Sequence, residues 1–200
     1  MAELTRLHPL ERAGAEFARQ TSPSVSFTAE PYVTTVDVRL PAGVSGTSLL
    51  ETRLPITPNT WAATGTGRII WLAPDEWLLT STAHAPDELE ERIRETVRPL
   101  GGVVVDVSAQ RIGIRLTGAR ARHVLAKGCS IDLHPRVFVR GSAAQTTVGL
   151  AGVILLALSD AGDDYLVLVR SSFAGYLADW LLDATAEFTE PATDLISSQE

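Results

Sequence analysis

The densest group of reactive side chains lies in residues 127–135, where Cys129, Asp132 and His134 fall close together. A thiol becomes a nucleophile when a base is held within hydrogen-bonding distance, and a zinc ion takes three or four nitrogen, sulfur or oxygen ligands. One cysteine and one histidine meet neither requirement by themselves, and no neighbouring residue completes a triad or a metal cage. The spacing therefore predicts no catalytic set in this segment.

Each of these side chains also has a structural interpretation, which we favour over the chemical one. The ammonium of Lys127 would favour a thiolate at Cys129, but a lone cysteine more often packs as a small hydrophobic side chain. His134 precedes Pro135, which biases its backbone toward an extended conformation. We expect His134 to hydrogen-bond to the backbone at a turn rather than to act as a base.

The remaining candidates for chemistry are scattered along the chain. His8, His84 and His123 lie far apart and show no metal-ligand spacing. Asp106 and Ser108 follow a predicted strand, where such residues more often stabilise a turn than act in catalysis. Neither glycine-rich nucleotide-binding motif occurs in the sequence. We therefore predict no catalytic, cofactor-binding or metal-binding residues in this chain.

Some of the same residues are better candidates for contacts with another protein. Trp61 lies in a predicted loop, and a large exposed aromatic side chain there often anchors an interface. His8 and Pro9 lie in a predicted N-terminal arm. The complete set of interface candidates is His8, Pro9, Trp61, Cys129, Asp132 and His134.

Composition indicates a globular protein with an acidic surface. The 200 residues are 45% hydrophobic and 20% charged, with a net charge of −7, so a core can form and binding to nucleic acid or anionic membranes is disfavoured. The single cysteine is typical of a reducing compartment. The sequence begins without the pattern of a signal peptide. We expect a cytoplasmic protein.

The elements that must position these residues occur twice. Residues 35–40 and 111–116 alternate apolar and polar side chains, which predicts a half-buried strand in each half. Each strand leads through a glycine into a predicted helix, at residues 48–53 and at residues 119–126. A hairpin follows in each half, formed by residues 68–72 with 76–80 and by residues 153–158 with 164–169.

Each hairpin leads into a second helix. The first opens at Pro86, and Leu89, Ile93 and Val97 recur on its inner face. For the second we predict a cap at Ser171 or Ser172 and an apolar stripe made of Phe173, Leu177, Trp180 and Leu181. The fold class is therefore α+β, with duplicated strand–helix–hairpin–helix units and antiparallel sheets covered by helices on one face. We predict an N-terminal arm (1–24) with one short helix, a single folded body (25–188) with two similar halves (about 32–100 and 101–186), and a flexible tail (189–200).

The succession of local motifs resembles one family, the gamma subunits of heterotetrameric sarcosine oxidase, over roughly residues 8 to 185. In the first half the matching motifs are His8-Pro9-Leu10, Leu54-Pro55, Pro58-Asn59-Thr60 and Trp71-Leu72-Ala73-Pro74-Asp75-Glu76-Trp77. In the second half they are Asp106-Val107-Ser108, Gly128-Cys129, Asp132-Leu133-His134-Pro135, Gln145-Thr146 and Arg170-Ser171-Ser172-Phe173-Ala174.

This resemblance implies a place in an enzyme complex with alpha, beta and delta subunits. The complex oxidises the N-methyl group of sarcosine to give glycine and hydrogen peroxide, and releases the one-carbon unit as formaldehyde or as methylene-tetrahydrofolate. The resemblance assigns FAD, FMN, NAD, tetrahydrofolate and zinc to the partner subunits and none of them to this chain. It also implies a fold related to the folate-binding domain of glycine-cleavage T-protein, and a non-catalytic, structural role.

Two alternatives come from other classes of protein with that fold. Proteins that assist iron–sulfur enzymes carry a Lys-Gly-Cys motif, but here Lys127-Gly128-Cys129 continues as Ser130-Ile131-Asp132, so the match ends after three residues. A free-standing folate-dependent aminomethyltransferase would need a folate pocket with acidic residues that the sequence does not identify.

Overall fold

The computed structural model describes residues 9–20, 22–41, 43–44 and 46–188. These residues form four α-helices and twelve strands, together with three short 3-10 turns. The helices are α1 (Glu11–Gln20), α2 (Pro86–Val97), α3 (Ala121–Ala126) and α4 (Ala174–Thr185). The strands are β1 (Ser26–Ala29), β2 (Thr34–Arg39), β3 (Ser48–Leu49), β4 (Thr52–Arg53), β5 (Trp61–Ala63), β6 (Gly67–Ala73), β7 (Glu76–Ser81), β8 (Val103–Asp106), β9 (Arg111–Thr117), β10 (Ala143–Val148), β11 (Ala151–Ala157) and β12 (Asp164–Arg170).

Two five-stranded antiparallel sheets with matching strand orders make up most of the fold. The first sheet has the order β5-β6-β7-β2-β8, and the second, read in the same direction, has the order β10-β11-β12-β9-β1. Each strand of these two sheets therefore has a counterpart in the other, and the predicted strand and hairpin of each half occupy corresponding places. The hairpins are confirmed by the pairing of β6 with β7 and of β11 with β12.

The edge strands are exchanged between the two halves. β1 precedes β2 in the sequence but pairs with β9 of the second sheet, whereas β8 precedes β9 but pairs with β2 of the first. Each half therefore sends its leading strand to the other sheet. This exchange joins the halves through backbone hydrogen bonds, and the apolar periodicity of a single strand does not indicate it.

The sheets form the two inner layers of a four-layer arrangement. Consecutive residues point to opposite faces of a strand, and Ile69 and Ile70 of β6 accordingly belong to different apolar cores. The outer face of the first sheet packs on α2 through Leu89, Ile93 and Val97. The outer face of the second packs on α1, α3 and α4. The inner faces pack on each other, so the predicted α+β class with helices on one face of each sheet is confirmed.

The helix predicted at residues 48–53 is wrong, because β3 and β4 form a small hairpin there. Ser48 pairs with Arg53 and Leu49 with Thr52. The two connecting residues, Leu50 and Glu51, have φ values of 48° and 61°. Such values are typical of a two-residue type I′ turn, and they are incompatible with a right-handed helix. The two halves thus differ here, since the second half has α3 in the corresponding place.

The predicted serine cap of the last helix is also wrong. Residues Ser171–Phe173 form a 3-10 turn before α4 begins at Ala174, and no side chain caps the helix. The Ser171 hydroxyl instead donates to the carbonyl of Ala109 at 2.7 Å. Of the predicted apolar stripe, Leu177 and Leu181 are buried and Trp180 is half-buried, whereas Phe173 is 46% exposed.

The described part of the predicted N-terminal arm is attached to the second sheet. Leu10 and Phe17 are buried in the core that also contains α3 and α4, and Phe17 stacks on Phe27 of β1. The short helix predicted in this segment is confirmed as α1. His8 and the predicted tail at residues 189–200 lie outside the described residues. In the described part of the chain, no helix is long and apolar enough to cross a membrane.

Candidate functional site

Cys129 lies in the core behind the end of α3. Its side chain is buried, and Sγ lies 3.9 Å from the Thr146 hydroxyl. Lys127 points elsewhere, because its ammonium donates to the Ala184 carbonyl at 2.5 Å and pairs with Glu187 at 2.7 Å. This ammonium therefore stabilises the end of α4, and the contacts of Cys129 are those of a packed side chain.

Asp132 and His134 form a local turn on the surface. The Asp132 carboxylate accepts the backbone N–H of His134 at 2.8 Å, and His134 Nδ1 accepts the N–H of Arg136 at 3.2 Å. Both side chains are exposed. The expectation that His134 hydrogen-bonds to the backbone at a turn is confirmed. Within the described ranges, no three His, Cys, Asp or Glu side chains are grouped so that they could hold a metal ion.

Asp106 and Ser108 also hydrogen-bond within the fold. Ser108 donates from its hydroxyl to the Asp106 carboxylate at 2.5 Å, and the Asp106 carboxylate accepts the N–H of Ser108. The same hydroxyl accepts the N–H of Thr35 at 2.9 Å. This connection fixes the end of β8 to the start of β2, and the expected hydrogen bond of the pair within a turn is confirmed.

A cavity of about 850 Å³ opens between the inner faces of the two sheets; we call it the inter-sheet cavity. Its apolar lining includes Ile70, Leu78, Leu166 and Leu168. Its polar lining includes Thr35, Arg68, Asp106, Ser108 and Arg111, and Pro9 also lines it. A concave, largely apolar space with a few polar groups is the general form of a small-molecule site.

On the inner face of the first sheet, Asp37 and Glu76 form a carboxylate pair. Burial, and then the hydrogen bond and charge of Glu76, raise the pKa of Asp37 to about 6. The guanidinium of Arg39 lies 2.8 Å from the Glu76 carboxylate. We call these three residues the acidic lip.

On the inner face of the second sheet, two arginines lie opposite each other. Arg111 of β9 pairs directly with Arg170 of β12 in the strand register. Burial, and then the charge of Arg170, lower the pKa of Arg111. The negative charges of Asp37 and Glu76 have a smaller effect and raise the pKa of Arg111. Within the described residues neither guanidinium takes part in a hydrogen bond or an ion pair.

The two arginines border a second hollow, of about 580 Å³, which we call the arginine hollow. Its residues on the inner face of the sheet are Arg111, Gln145, Thr147, Gly152, Ile154 and Arg170, with Phe173 beside them. Arg111 lines both this hollow and the inter-sheet cavity. The hollow offers donors for an anion and an exposed aromatic ring.

The interface candidates are thus spread over the molecule. Trp61 is not in a loop as expected but begins β5, is half-buried, and donates its indole N–H to the Ala157 carbonyl at 3.1 Å. It connects β5, an edge strand of the first sheet, to the second half, because its backbone N–H also donates to the carbonyl of Gly141, just before β10. Pro9 is exposed. A role of these residues in an interface with another protein stays a prediction.

Sequence reasoning did not identify the arginine pair. Arg111 and Arg170 are 59 positions apart, and only the pairing of β9 with β12 brings them together. The one available signal was that one predicted strand begins at Arg111 and that Arg170 directly follows the other. That signal does not specify a partner strand.

Comparison with known proteins gives three consistent findings. The model of the "Sarcosine oxidase, gamma subunit family" matches residues 35–187. Curated sarcosine oxidase gamma subunits from Corynebacterium sp. (strain P-1) and from an Arthrobacter species are each 36% identical over 196 residues, and 93% of each chain is covered.

Solved structures are similar in fold. A chain of heterotetrameric sarcosine oxidase from Corynebacterium sp. U-96, determined with pyrrole 2-carboxylate, matches with a TM-score of 0.83 and 28% identity over 93% of this chain and 97% of the other. Glycine cleavage aminomethyltransferase T from Bartonella henselae matches with a TM-score of 0.55 and 15% identity over 85% of this chain and 48% of the other, which supports a shared fold.

Proposed function

The chain belongs to the sarcosine oxidase gamma subunit family, and we propose that it is the non-catalytic, structural subunit of a heterotetrameric sarcosine oxidase. The observation that carries this proposal is the similarity, over nearly their full length, to curated gamma subunits of sarcosine oxidase. The coverage of 93% on both sides leaves no large domain of the curated relatives without a counterpart here.

The partners in this proposal are alpha, beta and delta subunits in the cytoplasm. They would hold FAD, FMN, NAD, tetrahydrofolate and zinc. The assembly would oxidise sarcosine to glycine and hydrogen peroxide, and would release formaldehyde or methylene-tetrahydrofolate. This chain would supply none of the reacting groups.

The hydrogen bonds of the most reactive side chains support the structural role. The ammonium of Lys127 stabilises α4, the Asp132 carboxylate accepts a turn N–H, and the Ser108 hydroxyl connects two strands. A catalytic group must be available to substrate or to a proton in transfer. Side chains that already form hydrogen bonds within the fold are less available as catalytic groups.

Co-expression with the other three subunits tests the proposal. A tagged copy of this chain should elute with them as one complex that contains flavin and produces peroxide from sarcosine. Because permanent complexes typically bury more than about 2,000 Å², the complex should persist through gel filtration. The chain purified alone should show neither flavin absorbance nor peroxide production. Stoichiometric flavin in the isolated chain, or turnover approaching that of the complex, would contradict a structural role.

Replacement of Cys129 tests the same proposal at one residue. Since Cys129 is packed in the core, Cys129→Ser should leave turnover of the assembled complex within about tenfold, which corresponds to about 1.4 kcal/mol in activation free energy. The matched control is Cys129→Ala, which also removes the thiol. Loss of activity in both variants with normal assembly would identify the thiol as catalytic.

A further inference from the structure

The cross-strand arginine pair is unfavourable for the fold that contains it. Like charges directly opposite each other on adjacent strands destabilise a sheet, and the charge of Arg170 disfavours the charged form of Arg111. The chain has a net charge of −7, yet within the described residues no carboxylate forms an ion pair with either guanidinium. An arrangement that costs stability in the free chain is typical of a functional site.

The surroundings of the pair are suited to an anionic group carried on a protein segment. Gln145 and Thr147 add polar side chains on the same face, and Phe173 adds an exposed ring. Arginine and aromatic side chains are enriched at protein interfaces.

Gly152 leaves room for such a segment between the charged and polar sides of the hollow. In the register of the sheet it lies opposite Thr147 and on the same face as Arg170. A Cβ atom built at Gly152 meets no atom within 4 Å. The space above this glycine is therefore not needed by the packing of the chain itself.

We propose that the arginine hollow is a docking site for a carboxylate-bearing segment of a partner subunit, with Arg111 and Arg170 as the recognising groups. Paired guanidiniums match a carboxylate in charge and geometry. Phe173 would pack on an apolar residue that flanks the carboxylate. This inference rests on the proposed function, because it assigns one surface of the chain to the assembly.

The test measures folding and assembly separately. The variants are Arg170→Glu, Arg170→Ala, Arg170→Lys and Gly152→Val, with Arg92→Ala, an exposed arginine on the outer helix α2, as the control. Arg170→Ala should unfold at the same or a slightly higher urea concentration than wild type. The same change should weaken association with the co-expressed subunits by about tenfold or more. Arg170→Glu should weaken it further, and Arg170→Lys should weaken it least.

Gly152→Val fills space in the arginine hollow without changing its charge, so it tests whether a partner segment occupies that space. Valine suits a strand and has space in the free chain, so the variant should be stably folded and should still weaken association. A photo-crosslinker at Thr147 should label a partner segment that has an Asp, a Glu or the subunit's own C-terminus next to the crosslinked residue. Normal association of Arg170→Glu and Gly152→Val, or a crosslink to a segment with none of these groups beside it, would overturn the inference.

Two other occupants give distinct results. If the free chain binds inorganic phosphate in a titration, and Arg170→Ala abolishes this binding, the hollow recognises a small anion and the proposal is wrong. If the free chain sediments as a dimer that Arg170→Glu dissociates, the occupant is a second copy and the proposal is again wrong. Failure of the wild-type chain to enter the assembly would refute the proposed function, and the inference with it. Normal assembly of the variants would refute the inference alone.

Discussion

The helices α2 and α4 occupy corresponding places in the two halves but are buried to different extents. Each has twelve residues and follows the hairpin of its half. Only Leu89, Ile93 and Val97 are buried in α2, which covers the first sheet from outside. In α4 the buried residues are Ala174, Leu177, Ala178, Leu181, Leu182, Ala184 and Thr185, because α1 and α3 pack against it as well.

This difference shows that two sheets with the same strand order can be covered by different sets of helices. The strand exchange brings α1 and β1 to the second sheet, whereas the first sheet receives only β8 in return. The place of α3 in the first half is taken by the small β3–β4 hairpin, which contributes Leu49 to the core. The second half is therefore the more deeply packed.

Matched leucine truncations in the two helices should show the largest effect. Leu177 and Leu89 are both fully buried, and a buried Leu→Ala change costs about 2–5 kcal/mol depending on how far the site can collapse. Because α4 is held between its sheet and two other helices, Leu177→Ala should lie near the top of this range. Because α2 is free on its outer side, Leu89→Ala should lie near the bottom. Urea unfolding of both variants measures the difference, and a larger cost at Leu89 would contradict the comparison.

Two glycines on the second half test its packing more locally. A Cβ at Gly128 would lie 2.4 Å from Cζ2 of Trp180 in α4 and 2.8 Å from the backbone nitrogen of Gly149. Gly128→Ala should therefore cost about 1–3 kcal/mol of unfolding free energy through overpacking. Gly152→Ala is the matched control, and should change the unfolding free energy by no more than about 0.5 kcal/mol, as is usual at open surface positions. Equal effects at the two glycines would show that α4 can move away from Gly128.

On the inner faces, the acidic lip of the first sheet should make stability depend on pH. The pKa of Asp37 is raised to about 6 from 3.8, mainly by burial and then by Glu76. The folded chain thus binds a proton more tightly than the unfolded chain, so this contribution stabilises at acidic pH and is lost as pH rises from about 4 to 6. Asp37→Asn should remove this loss and be the more stable form at pH 7, by no more than about 1 kcal/mol because Asp37 is partly exposed.

Unfolding of wild type and Asp37→Asn between pH 4 and pH 8 measures this dependence. The two curves should converge toward pH 4 and separate above pH 6, while Asp179→Asn, at an exposed position on α4, should follow wild type in shape. A constant offset between Asp37→Asn and wild type at every pH would show that the amide changes packing rather than ionisation.

Most of the strands and helices could be predicted from apolar periodicity, and the failures have physical causes. The spacing of Leu89, Ile93 and Val97 identifies α2 because the helix has one buried stripe. The exchange of β1 and β8 could not be predicted, because edge pairing depends on the whole sheet rather than on the strand itself. Serine is a common helix-capping residue, but the hydroxyl of Ser171 donates instead to the carbonyl of Ala109, in a different part of the chain.

The candidate site was predictable only where its residues are neighbours in sequence. The turn of Asp132 and His134 depends on contacts within four positions. The family resemblance was carried by local motifs for the same reason, and it is confirmed by the family match. The arginine pair, the acidic lip and the inter-sheet cavity all depend on long-range strand register, which a single sequence does not specify.

The smallest expected effect concerns the hairpin that replaces α3 in the first half. Glu51 is exposed and has a φ of 61°, a conformation that costs a non-glycine residue roughly 1 kcal/mol or more. Glu51→Gly relieves this strain but adds freedom to the unfolded chain, so the net gain in unfolding free energy should be about 0.5 kcal/mol. Glu51→Ala is the matched control, and should gain nothing because alanine is also strained at this φ. In a helix the order would be reversed, since alanine is favoured over glycine by about 1 kcal/mol. Chemical unfolding of the two variants therefore distinguishes a turn from a helix, because the difference between their unfolding free energies has opposite signs in the two cases. A more stable alanine variant would mean that residues 48–53 are helical. The two halves would then correspond more closely than in the fold described here.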